Sequence, residues 1–263
     1  MPETDLDLLT AAARASGDIA KGYFGNRPQV WDKADNAGPV TAADLAVNEM
    51  LENELQAARP DYGWLSEETE DHDARLSTES LFIVDPIDGT RAFIEGSNDW
   101  AHSIAVVKDG IVTAGVVYVP MHDLMFTATL GGGAFLNGKK LQTSNNADMS
   151  VATVLSSKAN FEGRFWRDGK APIAKRHFRS SLAYRLSLVA QARFDAMLTL
   201  RPTWEWDIAA GALMVTEAGG IVSNHCGDPL KFNNPMPHVA GVVAAGPVHA
   251  DLVAGIAPLA PSA

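Results

Sequence analysis

The chain has one cysteine, Cys226, among 263 residues, so no disulfide can form within it and a packed core must hold the fold. No apolar run approaches the roughly 20 residues of a membrane-crossing helix, and no membrane partner is expected. Basic residues are outnumbered, 21 Lys and Arg against 32 Asp and Glu for a formal net charge of -11, which argues against a nucleic-acid polymer as partner. Internal repeats and low-complexity tracts are absent. So are the phosphate-cradling patterns G-x-x-x-x-G-K-[ST] and G-x-G-x-x-G, so Gly131-Gly132-Gly133 reads as a plain turn. The opening Met1-Pro2-Glu3-Thr4-Asp5 lacks the basic and apolar regions of a secretory signal, and with the lone cysteine this points to the cytoplasm. What remains, 46% hydrophobic, is the composition of a globular protein with a sizeable core. A small anion is still an acceptable ligand, because a bound metal inverts the local field.

The stretch that stands out is Val84-Asp85-Pro86-Ile87-Asp88-Gly89-Thr90, after the apolar run Leu81-Phe82-Ile83 and before Arg91-Ala92-Phe93-Ile94. The run has the length of a buried strand, which leaves both carboxylates at its end. Pro86 fixes one backbone angle and lacks an N–H, which predicts a turn from which Asp85 and Asp88 converge. Two carboxylates held that close repel unless a cation lies between them. Gly89 permits close approach of the backbone to a ligand, and Thr90 stands at a predicted helix start, where anions bind well. A cation site beside an anion site points to a small phosphate ester. Taken alone, the motif fits an ordinary turn and helix cap equally well.

Helical spacing of Leu8, Leu9, Ala12, Ala13, Ile19 and Ala20 predicts a first helix from Asp5 to Phe24. Asp44 is expected to open a second, carrying Val47, Met50, Leu51 and Leu55 and stopping before Pro60; its carboxylate serves either the helix dipole or chemistry. Tyr62 to Ser66 is strand-like and ends in Glu67-Glu68, of which one alone should face a common site, since side chains alternate along an extended chain. His102 to Lys108 and Ile111 to Val119 flank the hairpin signal Asp109-Gly110, and Leu124 to Leu130 continues an antiparallel meander toward a turn at Asn137-Gly138. The polar stretch Gln142 to Ser150 divides the chain into subdomains 1–145 and 146–263. The second alternates strands (Thr153 to Ser156, Ala196 to Leu200, Gly220 to Ser223, Val239 to Ala244) with helices. One helix runs from Ser181 to Val189, where Arg179-Ser180-Ser181 either holds an anion or caps it. Another starts at Asp207, and its small residues allow close backbone approach.

Four pieces in order resemble the inositol monophosphatase superfamily of magnesium-dependent, lithium-sensitive phosphatases: Thr41-Ala42-Ala43-Asp44, Ser66-Glu67-Glu68, Asp85 to Thr90, and Trp206-Asp207 before Ala209-Ala210-Gly211. Lys33-Ala34-Asp35-Asn36 ahead of Pro39-Val40-Thr41, Leu65 to Glu68, and Arg201-Pro202-Thr203 ahead of Trp206 look most like bacterial 3′(2′),5′-bisphosphate nucleotidases. Those enzymes remove the 3′-phosphate of 3′-phosphoadenosine 5′-phosphate. The resemblance implies an α+β or α/β fold, a layered αβαβα sandwich, commonly as a homodimer. It implies Glu67, Asp85, the Ile87 carbonyl, Asp88 and Asp207 as ligands of two or three magnesium ions. Glu67 and Thr90, backed by Asp44, would orient the attacking water, while Gly89, Thr90 and Asp207 would touch the substrate. Ser180, Ser181 and Arg185 are expected to contact the nucleoside or a second phosphate, although Arg179 stands where relatives tend to have glycine. Seven residues before Asp207, inositol phosphatases carry a glutamate for inositol hydroxyls; Leu200 stands there and would leave such hydroxyls unpaired. Inositol 1-phosphate and histidinol phosphate are the alternative substrates, and a catalytically silent nucleotide-binding relative is the remote one.

Overall fold

The computed structural model describes residues 3–26, 28–32 and 38–258. Lys33-Ala34-Asp35-Asn36, part of the resemblance, lies outside the described residues. A short hairpin of β1 (Val30–Asp32) and β2 (Pro39–Thr41) stands apart from the first large sheet. That sheet has seven strands in chain order: β3 (Gly63–Ser66), β4 (Ser80–Asp88), β5 (Ala101–Lys108), β6 (Ile111–Val119), β7 (Leu124–Thr129), β8 (Gly133–Leu136) and β9 (Lys139–Lys140). β3 runs parallel to β4, and the later neighbours are antiparallel. The chain turns from β5 to β6 through Asp109 (φ 52°) and Gly110 (φ 78°), both left-handed as a two-residue hairpin matched to strand twist requires.

Alternation along these strands decides what covers each face. Phe82, Val84, Ile104, Val106 and Val116 pack with Leu9, Val47, Leu51 and Leu55 of α1 (Asp5–Tyr23) and α2 (Ala42–Ala58). A short helix, α3 (Thr90–Ile94), follows β4. Leu81, Ile83, Ala105, Val107 and Val117 face the other way, into a core shared with α4 (Leu182–Ala190) and α5 (Glu205–Glu217). Beyond those helices lies a second sheet of five strands. It comprises β10 (Thr153–Leu155), β11 (Lys175–His177), β12 (Ala196–Trp204), β13 (Ile221–Ser223) and β14 (His238–Ala245), in spatial order β11-β10-β12-β14-β13. Met197, Val242 and Ala244 point back to α4 and α5, whereas Val154, Leu198 and Val243 pack outward against α6 (His249–Gly255) and Trp166. The layers are therefore αβαβα.

Small residues let α5 sit between the two sheets. A Cβ on Gly115 would lie 3.1 Å from the Ala210 Cα, and one on Gly211 would lie 2.6 Å from the Leu186 Cβ. Several boundaries differ from expectation. α2 begins at Ala42 under a Thr41 cap, because Thr41 and Asp44 satisfy each other's backbone N–H groups in a capping box; Asp44 therefore sits third in the first turn rather than at the opening. α5 begins at Glu205, so Asp207 lies in its first turn. The turn expected after Ile83 is a bulge, and β4 runs on to Asp88.

Candidate metal centre and active site

Asp85 pairs with Ser103 and Asp88 with Ala101, so Pro86 and Ile87 together oppose the single residue His102. Such a bulge absorbs a proline that cannot donate to the ladder. It also lets both carboxylates border one cavity while Ile87 goes into the core. His102 pins the bulge: its Nδ1–H donates to the Pro86 carbonyl, which fixes the tautomer because a carbonyl only accepts. Burial, chiefly, pushes this imidazole down to about 4, so it stays neutral. Trp100, Phe93 and Phe24 pack beneath it as an aromatic cluster.

Glu67 reaches the same cavity because its N–H donates to the Val84 carbonyl, 3.2 Å away, at the end of β3. Glu68 does not border the cavity, as alternation predicts for one of the pair. Gly89 adopts φ 100°, a conformation glycine alone adopts readily, and it starts α3 there. The Thr90 hydroxyl lies 3.2 Å from Asp44 Oδ1 and 3.1 Å from the Ile87 carbonyl. Asp44 is fully buried, and its Oδ2 accepts from the Thr41 N–H at 2.9 Å and hydroxyl at 2.5 Å. Capping and contact with Thr90 are thus carried by opposite oxygens of one carboxylate.

From the first turn of α5, Asp207 completes the cluster. Oxygen atoms of Asp85, Asp88 and Asp207 all lie within 4.8 Å of one another. The α5 end that carries Asp207 is tied to β5, since the Ser103 hydroxyl donates to the Trp206 carbonyl at 2.9 Å. A cavity of about 300 Å³ opens over these acids, with Glu67, Gly89 and Thr90 on its wall. Burial is the main cause that drives the Asp85 carboxyl well above the ordinary aspartate range, followed by repulsion from Glu67, Asp88, Asp207 and Glu68. Asp88 is pushed up to about 6, again mainly by burial, against stabilising contacts from Ser181, Ala183 and Arg185.

The donor set fits a hard divalent cation. Among the described residues Asp85 Oδ1 is buried without a hydrogen-bond partner, which in a carboxylate cluster is costly unless a proton or a metal satisfies it. All the donors are oxygens, the ligands magnesium prefers.

Two expected substrate contacts, Ser181 and Arg185, are not on the cavity wall. The Ser181 hydroxyl and the Ala183 N–H both donate to Asp88 Oδ2, each at 2.6 Å, so the start of α4 grips Asp88 from behind. Arg185 is buried and donates through Nε to the Arg179 carbonyl at 2.6 Å. Burial lowers its guanidinium to about 10. Ser180 also stands off the wall. The Ser181 hydroxyl thus holds Asp88 directly, and the Arg185 guanidinium favours its ionised form from a distance, instead of reaching into the cavity.

Leu200 needs a similar correction. Thr199 pairs with Val242 and Pro202 with Ala240, so Leu200 and Arg201 bulge against Gly241. The bulge buries Leu200 in the outer core and turns Arg201 to the cavity. Arg91, Arg201 and Trp204 on that wall carried no sequence-based role. The available signal was Pro202 interrupting the strand alternation two residues before Trp204.

No helix of the described residues is long and apolar enough to cross a membrane. A family model described as the inositol monophosphatase family matches residues 1–259. The chain is 33% identical over 243 residues to the inositol-1-monophosphatase of Mesorhizobium japonicum, covering 87% of this chain and 88% of that protein. It is 32% identical over 230 residues to the histidinol-phosphatase of Chlorobaculum parvum, covering 85% and 86%. The Thermotoga maritima IMPase structure superposes with a TM-score of 0.80 at 30% identity, covering 94% of each chain.

Proposed function

The chain belongs to the inositol monophosphatase family of phosphatases, and on that premise we propose that it is a magnesium-dependent phosphomonoesterase whose substrate is 3′-phosphoadenosine 5′-phosphate, cleaved at the 3′-phosphate. One observation carries the metal-dependent chemistry: three carboxylates converge within 4.8 Å, and one buried Asp85 oxygen lacks a hydrogen-bond partner among the described residues. Asp85, Asp88, Asp207 and Glu67, with the Ile87 carbonyl, would hold two or three magnesium ions, which when bound neutralise phosphate charge and lower the pKa of a water. The Thr90 hydroxyl has a single proton to give to Asp44 or Ile87, so its lone pairs can accept a hydrogen from the attacking water. Glu67 accepts the water's other hydrogen and acts as general base. The left-handed Gly89 curls the chain so that the Gly89 and Thr90 N–H groups approach the phosphate.

The preference for a bisphosphate is supported by Arg91 and Arg201, which line the same cavity as the acids. A guanidinium there pairs with a second anionic group that inositol 1-phosphate lacks. In this reading residues 1–145 form a subdomain that orients the water, and residues 146–263 form one that contributes Asp207. The protein is a cytoplasmic, lithium-sensitive homodimer. Histidinol phosphate is the second reading, favoured by the likeness to the histidinol-phosphatase of Chlorobaculum parvum.

Phosphate release in magnesium from 3′-phosphoadenosine 5′-phosphate, inositol 1-phosphate and histidinol phosphate, compared side by side, tests the substrate. A higher kcat/KM for the nucleotide is expected. Preference for another ester would overturn the nucleotide while leaving the phosphatase. Nucleotide binding without release would favour the silent relative.

A further inference from the structure

The cavity has an aromatic wall as well as a charged one. Trp204 borders it at the end of β12 and is 39% exposed, an uncommon setting for the largest apolar side chain. Its ring stacks on Trp206 with centroids 4.8 Å apart and planes 9° from parallel, while His238 meets it edge-on at 5.6 Å. The backbone holds it still: Trp204 pairs with His238 in the sheet, and the next residue, Glu205, donates its N–H to the Pro237 carbonyl at 2.9 Å. Trp206 beneath is buried. One indole face is therefore covered by Trp206, and Trp204 brings a flat aromatic surface to the cavity wall. Arg201, three residues earlier, borders the same cavity because of the Leu200–Arg201 bulge.

We propose that Trp204 is the specificity residue of this site, a platform on which a planar aromatic group of the phosphate ester stacks, with Arg201 receiving that substrate's second anionic group. The proposal rests on the phosphatase reading and deepens it: the ester accepted best carries a nucleobase or another heteroaromatic ring. Packing on Trp206 alone would account for a buried ring but not for an exposed one on the cavity wall. Stacking of a base on an aromatic side chain corresponds to about 5- to 150-fold in affinity.

The test compares kcat/KM for an aromatic ester, adenosine 2′-monophosphate, with that for an aliphatic one, glycerol 2-phosphate, in the full chain with magnesium. The ratio of the two is the readout, so a general loss of folded enzyme cancels. Trp204→Ala should lower the ratio about 5- to 150-fold, mainly through KM for the aromatic ester, and Trp204→Phe should restore most of it because a phenyl ring still stacks. A ratio unchanged in Trp204→Ala, or lowered equally in Trp204→Phe and Trp204→Ala, would overturn the proposal, as would a wild type that turns over no aromatic ester. Failure of 3′-phosphoadenosine 5′-phosphate as best substrate is a separate result, since adenosine 2′-monophosphate still reports on the platform.

Discussion

Magnesium binding to this protein should release protons, and its affinity should fall steeply in mild acid. In the metal-free fold the Asp88 carboxyl sits at about 6 against an ordinary 3.8, and the side chain is buried. Between those two values the folded state holds a proton that the unfolded chain has lost, so Asp88 lowers stability as pH rises through the window. A cation needs the ionised form. At about pH 5 Asp88 is roughly nine-tenths protonated and at about pH 7 roughly one-tenth, so its apparent magnesium affinity should drop about tenfold between them, about 1.4 kcal/mol. Asp85, pushed further the same way by burial and by Glu67, adds to this. The melting temperature of the metal-free protein alone would mislead. His102, held down at about 4 by burial, contributes in the opposite sense, since its stability penalty is relieved as pH rises toward the unfolded value. The magnesium-induced difference isolates the carboxylates, since His102 does not border the cavity. Titration calorimetry of chelator-treated protein, in buffers of different ionisation enthalpy, reads affinity and proton release together. An affinity independent of pH, with no proton released at about pH 5, would refute the clustering of protonated carboxyls at this site.

Two further substitutions probe the frame around the cluster. Arg75 is 3% exposed and bonds Asp71 through Nε and a terminal nitrogen at 2.6 and 2.7 Å, while Asn233 and Asn234 beside it hold the buried Glu205 carboxylate. Arg75→Ala should cost about 1–3 kcal/mol in chemical denaturation, because the half-buried Asn233 amide and the Pro235 carbonyl lose their donor, while Asp71, itself exposed, is left to solvent. Gly89→Ala forces an alanine into φ 100°, with its Cβ 3.3 Å from the Asp99 carbonyl. It should cost about 1–2 kcal/mol of stability and lower kcat well beyond that loss, since Thr90 moves with it; unchanged kcat would remove Gly89 from the site.

The acids were legible in the sequence because short-range chemistry marks them: an apolar run, then Asp85-Pro86-Ile87-Asp88-Gly89-Thr90. Strands β5 to β7 were legible from alternation and from Asp109-Gly110. What stayed hidden depends on pairing between distant segments. The Pro86–Ile87 bulge needs His102 opposite it, and the burial of Leu200 needs Gly241. Ser181 and Arg185 looked like substrate contacts because serines and arginines at a helix start commonly hold anions; the anion they serve is the side chain of Asp88. The triple glycine behaves the same way, as the Gly131 and Gly133 N–H groups hold the Glu217 carboxylate at 2.8 Å each. Arg75 and Asn233 are 158 residues apart, beyond what any local pattern reports.

The most direct measurement is magnesium-dependent phosphate release by the wild type and by Asp85→Asn, with circular dichroism on both. Asp85→Asn relieves repulsion with Glu67, Asp88 and Asp207, so its fold should survive while turnover is lost. Undiminished turnover in Asp85→Asn would contradict a catalytic metal held by this cluster.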